Sequence, residues 1–474
     1  MSERLDRYAN LVDDHHAFKA ACSSPLEETC WMPPGYRDAF DAFPAGGLTA
    51  LRWTNSGFRV HQKDLRYGVH FLLGGLLVQE EAAMMAVGAL APRPGERILD
   101  LCAAPGNKTV QLAKAVGSHG CVIANDVSAS RLQILRGMVD RFRLSNVYVT
   151  VHDGASFPER SFEGWQESIQ FDAVLVDVPC SCEGTCRKNP SVLSRNTDSR
   201  SAELPGLQQA LLKRAIRLTR PGGRILYATC TFAPEENEMV VDRVLKRPET
   251  GNEVQLESVD LPDVKTSPGI TSWNGTGLHP TMERTVRIWP HHNDTGGFFL
   301  ALLRKEGQDG PPWPHSQEAE RLSPDVLPWS AYDLDDDFLK DHATIGSGRK
   351  HNRLVGASCP PFPFNVVSSG MSGLNLKSND PRPSSALATL LGSHANAGIA
   401  EVSEASVLPF IKRESVLPES LVAPNDRTRF VLVRHGSLSL GLGHVNHAGR
   451  VESLFPSNSA GLEVAQWLER LSDG

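Results

Sequence analysis

Four cysteines carry the strongest hint of chemistry in this sequence. Cys180, Cys182 and Cys186 crowd into VDVPCSCEGTCRKNP, directly after an apolar run that reads as a buried strand. Cys230 follows a second such run in LYATCTFAPEENE. Their spacing limits what they can do. Structural zinc calls for CxxC-type pairs drawn from two places, and CSC…C has no histidine at ligand spacing nearby. A disulfide catalyst needs CxxC, and a radical iron–sulfur centre needs a different spacing. No metal is expected, which leaves nucleophile, or plain loop residue, for each thiol.

A ligand site is written just upstream. CAAPGNK, residues 102–108, follows the apolar strand RILDLC, and its small residues let the backbone approach a ligand closely. It opens a helix whose first turn favours a carboxylate or other anion. It is neither GxGxxG nor GxxxxGK[ST], so NAD and ATP are poorly supported. Asp126 ends the next strand, twenty residues after Gly106, where an acid can accept from both ribose hydroxyls. Asp153 follows the third strand, where it can accept from an adenine amino group. The plainer reading makes both acids turn formers, but their order at successive strand ends favours a ligand. An adenosine without phosphates, plus a carboxylate at a helix start, describes S-adenosylmethionine. With a methyl donor beside two thiols, one reaction suggests itself. A thiolate adding to carbon 6 of a cytosine makes carbon 5 nucleophilic, and the carbon 5 proton must leave before the enzyme is eliminated. Asp177 stands beside Cys180 to hydrogen-bond the base edge.

The elements needed to hold these residues recur along the chain. Strands are expected at 97–102, 121–126, 147–151, 171–178 and 224–229, with helices at 109–116, near 132–142 and at 206–219. Strands alternating with helices predict an α/β fold, a parallel sheet covered on both faces, with 285–290 and 296–305 as a late antiparallel addition. Upstream, 67–90 turns apolar with helical spacing. Downstream, EGQDGPPWPHSQ reads as a linker, 345–400 is rich in Gly, Ser, Pro and Asn, and 429–445 alternates with period two around HGS, like a hairpin.

The chain has 474 residues, 40% hydrophobic and 22% charged, enough for two or three domains. Nine cysteines, an odd number unevenly spaced, do not make a secreted disulfide framework. No run of eighteen apolar residues and no apolar leader appear, so a cytoplasmic chain without a membrane span is expected. The net charge of −7 argues against indiscriminate nucleic-acid binding but not against a local basic face.

Taken together, DLCAAPGNKT, NDVSASR, DVPCSCEGT.RKNP, YATCTFAPEENE and PHHNDTGGFF resemble the successive motifs of the Nop/Sun (Fmu-type) RNA cytosine-carbon-5 methyltransferases, over roughly residues 75–305. The resemblance implies a Rossmann-like class I methyltransferase sheet, 5-methylcytosine formed in rRNA or tRNA through a covalent adduct, and S-adenosylmethionine as cofactor. It makes Cys230, of the TC motif, the nucleophile, and gives Cys180, of the PC motif, the release of product. It places cofactor contacts on Cys102, Ala103, Ala104, Pro105, Gly106, Asn107, Lys108, Asp126, Asp153 and Asp177, and carries Gln79 over weakly. Cys182 and Cys186 are then incidental. The domains expected are an N-terminal α+β RNA-binding extension (1–70), the methyltransferase domain (71–306), a linker and irregular region (307–400), and a mostly-β domain similar to PUA-like modules (401–474).

Residues 187–224 hold a surplus of Arg and Lys that phosphate contacts would need. Arg187 and Lys188, beside Cys180, are the RNA contacts expected, and the target base must leave its stack to reach a strand-end pocket. A monomer is expected. Two rivals remain. A DNA cytosine methyltransferase would use a proline-cysteine nucleophile alone, which the TC cysteine disfavours. A non-catalytic RNA-binding factor of the same fold is disfavoured by the intact thiols and acids.

Overall fold

The computed structural model describes residues 2–34, 36, 47–61, 65–159, 170–194, 200–307, 320–321, 331–346, 351–356, 366–376, 382–425 and 428–456. Five parallel strands form its centre: β1 (Arg97–Asp100), β2 (Cys121–Asn125), β3 (Val147–Thr150), β4 (Phe171–Asp177) and β5 (Thr219–Thr229). They lie in the order β5-β4-β1-β2-β3, so the chain reverses direction between β1 and β4. The late pair is found as expected: β6 (Val286–Ile288) and β7 (Phe298–Lys305) run antiparallel, with β7 paired to β5.

The strands read as continuous apolar runs because both faces are covered. Ile98, Val122, Ala124, Val147, Leu175, Leu226 and Leu300 pack on one side, beneath helices α1 (Glu81–Leu90), α2 (Asn107–Val116) and α3 (Ala129–Arg141). Leu99, Ile123, Tyr148, Val174, Val176, Ile225, Tyr227 and Phe299 pack on the other, beneath α4 (Arg200–Leu218) and α5 (Glu238–Leu245). The side chains alternate, as strand geometry requires. Leu132, Leu135 and Val139 of α3 and its C-cap Phe142 are all buried.

Two expectations need correction. The apolar stretch 67–90 is not one helix. It divides into Leu65–Leu72 and α1, with the short strand Leu77–Val78 between. Gly74 makes the break: its φ is +67°, and a Cβ there would lie 2.1 Å from the carbonyl oxygen of Arg141. The N-terminal part holds, beside its helices, a four-stranded antiparallel sheet of Leu48–Ala50, Gly57–Val60, Thr29–Trp31 and Leu77–Val78, in that order. The Gly/Ser/Pro-rich stretch also holds regular structure. His342–Gly346, His351–Gly356 and Met371–Asn375 form antiparallel pairs, and Val366–Ser369 pairs with the free edge of β3. Most of the predicted linker EGQDGPPWPHSQ, from residue 308 on, lies outside the described residues. Farther on, the hairpin is found, Phe430–His435 against Leu438–Val445, in a six-stranded sheet, so the C-terminal part is mostly β. No helix among the described residues is long and apolar enough to cross a membrane.

One ion pair ties the antiparallel extension to the helix that follows the TC motif. Arg287 of β6 donates to both carboxylate oxygens of Glu238, at 2.7 and 2.5 Å, and to the Phe232 carbonyl at 2.9 Å. Both side chains are buried, at 3% and 0% exposure. Arg287→Met would leave Glu238 a buried, unpaired charge. Such a break costs about 3–5 kcal/mol, read as a lower midpoint in denaturant unfolding.

Candidate active site

Parallel pairing of β4 and β5 aligns Asp177 with Ala228, so the loops carrying Cys180 and Cys230 leave the sheet side by side. Their sulfurs are 3.4 Å apart. The loops are fastened to each other. Gly184 N–H donates to Cys230 O at 2.9 Å, and the Ser181 and Thr231 hydroxyls meet at 2.7 Å. Glu236, 4% exposed, accepts from Ser181 N at 3.0 Å and from Gln208 Nε2 at 2.9 Å, while Gln208 also donates to Pro179 O. The acid of PEENE thus holds the cysteine loop of the neighbouring strand, a role its sequence position does not reveal. Gly184 and Gly297 permit the closest approach: Gly297 N–H donates to Gly184 O at 2.9 Å, and a Cβ on Gly184 would lie 2.2 Å from that partner's carbonyl oxygen.

Cys230 lines a cavity of about 250 Å³ with Gln79, Asp100, Cys102, Ala103, Ala104, Pro105, Asn107, Lys108, Asp177, Lys188 and Phe298. Larger cavities, about 750 and 480 Å³, lie between α3 and the C-terminal sheets. Neither holds a cysteine or the strand-end acids, so the chemistry belongs to the smaller one. Lys108 donates to Asp177 at 2.7 Å; burial works against its charge, but the Asp177 carboxylate holds the ammonium above its ordinary range. Asp100, missed in the sequence although it ends β1, is 1% exposed and accepts from Thr109 Oγ1 at 2.7 Å. Burial pushes its carboxyl up to about 7. Gln79 is 5% exposed, and both atoms of its amide are buried without a hydrogen-bond partner among the described residues. Its backbone is pinned by Thr29 of the N-terminal sheet.

The loop before α2 behaves as its composition suggests. Gly106 caps the helix at φ +115° with no side-chain acceptor, leaving the first-turn amides uncapped by a side chain. Asp126 is 3% exposed and turns inward: it accepts from Ala104 N at 3.2 Å and Ser128 N at 2.9 Å, with Arg131 at 3.3 Å. Asp153 is exposed and caps the turn Gly154–Ser156. Neither acid lines the cavity, which gathers Cys102, Ala103, Ala104, Pro105, Asn107 and Lys108 with Asp177 but not Gly106.

The expected RNA contact at Arg187 is not supported. Its side chain is 2% exposed, and its guanidinium is committed to Ser24 O, Pro25 O, Thr295 O and Asp294 Oδ1, at 2.6–3.2 Å. It fastens the N-terminal segment to the domain. Much of the basic run is spent similarly, Arg214 on Phe157 O and Glu159, Arg220 on Asp172 and Arg224 on Glu96. Lys188 is exposed at the cavity. The N-terminal helices close over the cysteine loop: Arg4 Nε and Tyr8 OH both donate to buried Glu183, and Phe18 meets Phe232 and Trp289 edge-on at 5.1 and 5.5 Å.

Both thiols are held in the protonated form. For Cys180 the hydrogen bonds with Cys182 and Cys230 come first and burial adds to them. For Cys230 the bond with Cys180 favours the thiolate, but Cys182, burial and the Asp177 charge outweigh it. Alkylation of Cys230 by iodoacetamide should therefore be slow at pH 7. Because only the thiolate reacts, the rate should climb about tenfold per pH unit and keep rising beyond the range of an ordinary thiol. A plateau near pH 8, followed by mass spectrometry of the Cys230 peptide, would contradict the raised pKa.

The model of the family described as 16S rRNA methyltransferase RsmB/F matches residues 87–304. A tRNA (cytosine(49)-C(5))-methyltransferase of Pyrococcus abyssi is 38% identical over 261 residues, 54% of this chain and 80% of the relative. A mouse 28S rRNA (cytosine-C(5))-methyltransferase is 34% identical over 279 residues, 58% of this chain but only 33% of the relative. Among solved structures, a methyltransferase homologue from Pyrococcus horikoshii superposes with a TM-score of 0.52 at 26% identity, covering 64% of this chain and 98% of the other.

Proposed function

We propose that this chain, which belongs to the RsmB/F methyltransferase family, forms 5-methylcytosine in rRNA or tRNA with S-adenosylmethionine as methyl donor. The observation that carries the reading is the 3.4 Å contact between Cys180 and Cys230 beside the Lys108–Asp177 pair. Cys230 lines the cavity and is the nucleophile; its sulfur bonds to carbon 6 of a flipped cytosine. Asp177, with Lys108 behind it, accepts from the amino edge of the base, and the Gln79 amide offers a further donor and acceptor. Cys180, its own proton first passed to solvent, takes the proton from carbon 5 as a thiolate, after which the bond between carbon 6 and Cys230 breaks and Cys230 leaves as thiolate.

The cofactor fits the residues present. The uncapped start of α2 suits its carboxylate, and the loop Cys102–Lys108 can lie against it closely. Asp126 serves the ribose once Arg131 gives way, Asp153 lies toward the adenine, and bound S-adenosylmethionine supplies an electrophilic methyl group on a cationic sulfur. Lys188 contacts RNA at the cavity mouth. Arg136 of α3, Arg382 of the connecting region and Arg413 of the PUA-like part line the 750 Å³ cavity and together offer phosphates a basic face. The functional division is an N-terminal RNA-binding extension over 1–70, the catalytic domain over 71–306, a connecting region over 307–400 and the PUA-like part over 401–474, in a cytoplasmic monomer.

The test uses purified protein, methyl-labelled cofactor and unmodified rRNA and tRNA, with products mapped by bisulfite sequencing. Wild-type protein should convert a defined cytosine. Cys230→Ala should lose at least about a hundredfold in rate, the lower scale of a lost catalytic group, while calorimetry shows cofactor affinity unchanged. Residual activity near wild type would remove Cys230 from the nucleophile's role.

A further inference from the structure

Three sulfurs meet at this site rather than two. Cys182 Sγ lies 3.9 Å from Cys180 Sγ and donates to Cys180 O at 3.3 Å. Cys230 Sγ lies 3.4 Å from Cys180 Sγ, and all three sulfurs are within 4.8 Å of one another. A tetrahedral thiolate site with metal–sulfur bonds of about 2.3 Å has sulfurs about 3.8 Å apart. The observed separations bracket that spacing. The sequence concealed the set because its third member stands 50 residues from the first.

Cys182 itself is conspicuous. Its φ is +60° with ψ at 23°, a left-handed conformation that glycine adopts freely and a residue with a side chain adopts only at a cost. At that strained position the chain carries a thiol, which no step of the proposed methylation uses. Strain of this kind, joined to a specific geometry, points to a function.

We propose that Cys180, Cys182 and Cys230 bind one thiophilic cation of the Zn²⁺ type, and that its binding switches methyl transfer off. The inference rests on the reading of Cys180 and Cys230 as the catalytic pair. Binding forms three metal–sulfur bonds and breaks three S–H bonds; the protons pass to solvent, and no oxidant or reductant takes part. Coordination favours the thiolate, so each bound sulfur gives up its proton. Lys108, near enough to feel the charge of Cys230, offsets the surplus negative charge of three thiolates on a divalent ion. A sulfur committed to the metal cannot add to carbon 6, so cation and RNA compete. Cysteine is the donor suited to such ions, whereas magnesium and calcium prefer oxygen.

The test begins with reduced, metal-free, full-length protein titrated with Co²⁺. Thiolate-to-cobalt charge-transfer absorption should saturate at one equivalent, and this band is silent to the carboxylate–histidine cluster of Asp13, His291 and His292. Zn²⁺ should displace the cobalt and inhibit methyl transfer, and a chelator should restore it. Cys182→Ser and Cys182→Gly, the latter suited to the left-handed backbone, should bind S-adenosylmethionine with wild-type affinity in metal-free calorimetry, and the zinc inhibition of each is read relative to its own metal-free rate. Both should weaken Co²⁺ binding, and the Zn²⁺ inhibition curve, by at least about tenfold, since even outer-shell changes at metal sites have effects of that size. The absorption band reports sulfur coordination without reference to activity, so a failure of the catalytic assignment would show separately, as methylation surviving in Cys230→Ala. An absent band, or equal zinc sensitivity in wild type and both variants, would each overturn the proposal.

Discussion

The parallel pairing of β4 and β5 is the constraint on which the site depends. Two thiols from positions 50 residues apart can touch only because neighbouring strands leave the sheet at matched heights, with Asp177 level with Ala228. Everything nearby preserves that match. Glu236 and Gln208 clamp the PC loop from the TC side, Gly184 and Gly297 let backbones meet where a side chain would collide, and Arg287 anchors the helix that begins at Glu238. The antiparallel strand β7, laid against β5, holds Phe298 about 5.4 Å from the Lys108 ammonium, so the apolar wall and the charged pair of the cavity share one support.

Burial sets the electrostatics of the resting site. Around the cavity it raises the carboxyl of Asp100 to about 7, the contacts among the sulfurs together with burial push both thiols up, and the Asp177 carboxylate keeps Lys108 charged. A protein in this state has an inert nucleophile. The account requires the thiolate to appear only when positive charge arrives, and a sulfonium cofactor brings one.

The chemistry was more legible in the sequence than the scaffold around it. Strand-end residues such as Asp177, Cys180 and Cys230 could be placed because a parallel sheet gathers its carboxyl ends at one edge, and alternating apolar runs announce that sheet. Local composition misled where long-range partners decide. Arg187 looked like a phosphate ligand, yet its four acceptors come from residues 24–25 and 294–295, which no spacing links to it. Cys182 looked incidental for the same reason, its neighbour being the distant Cys230 as well as Cys180. The break at Gly74 depends on the Arg141 carbonyl, and the strand Val366–Ser369 takes its identity from the open edge of β3 rather than from its own Gly- and Ser-rich surroundings. Gln79 could be carried over only weakly from sequence because its amide is defined by what it lacks, a partner, and that is visible only in three dimensions.

The division of labour between the two thiols is the central claim, and trapping the covalent intermediate tests it most directly. Cys180→Ala protein is incubated with RNA and S-adenosylmethionine and run on a denaturing gel. Attack by Cys230 and methyl transfer should proceed while proton removal and elimination stall, so a slow-migrating protein–RNA band should accumulate and disappear in the Cys180→Ala, Cys230→Ala double variant. A trapped band from Cys230→Ala alone, with none from Cys180→Ala, would contradict the account, because Cys180 would then be the nucleophile and Cys230 the residue that releases the product.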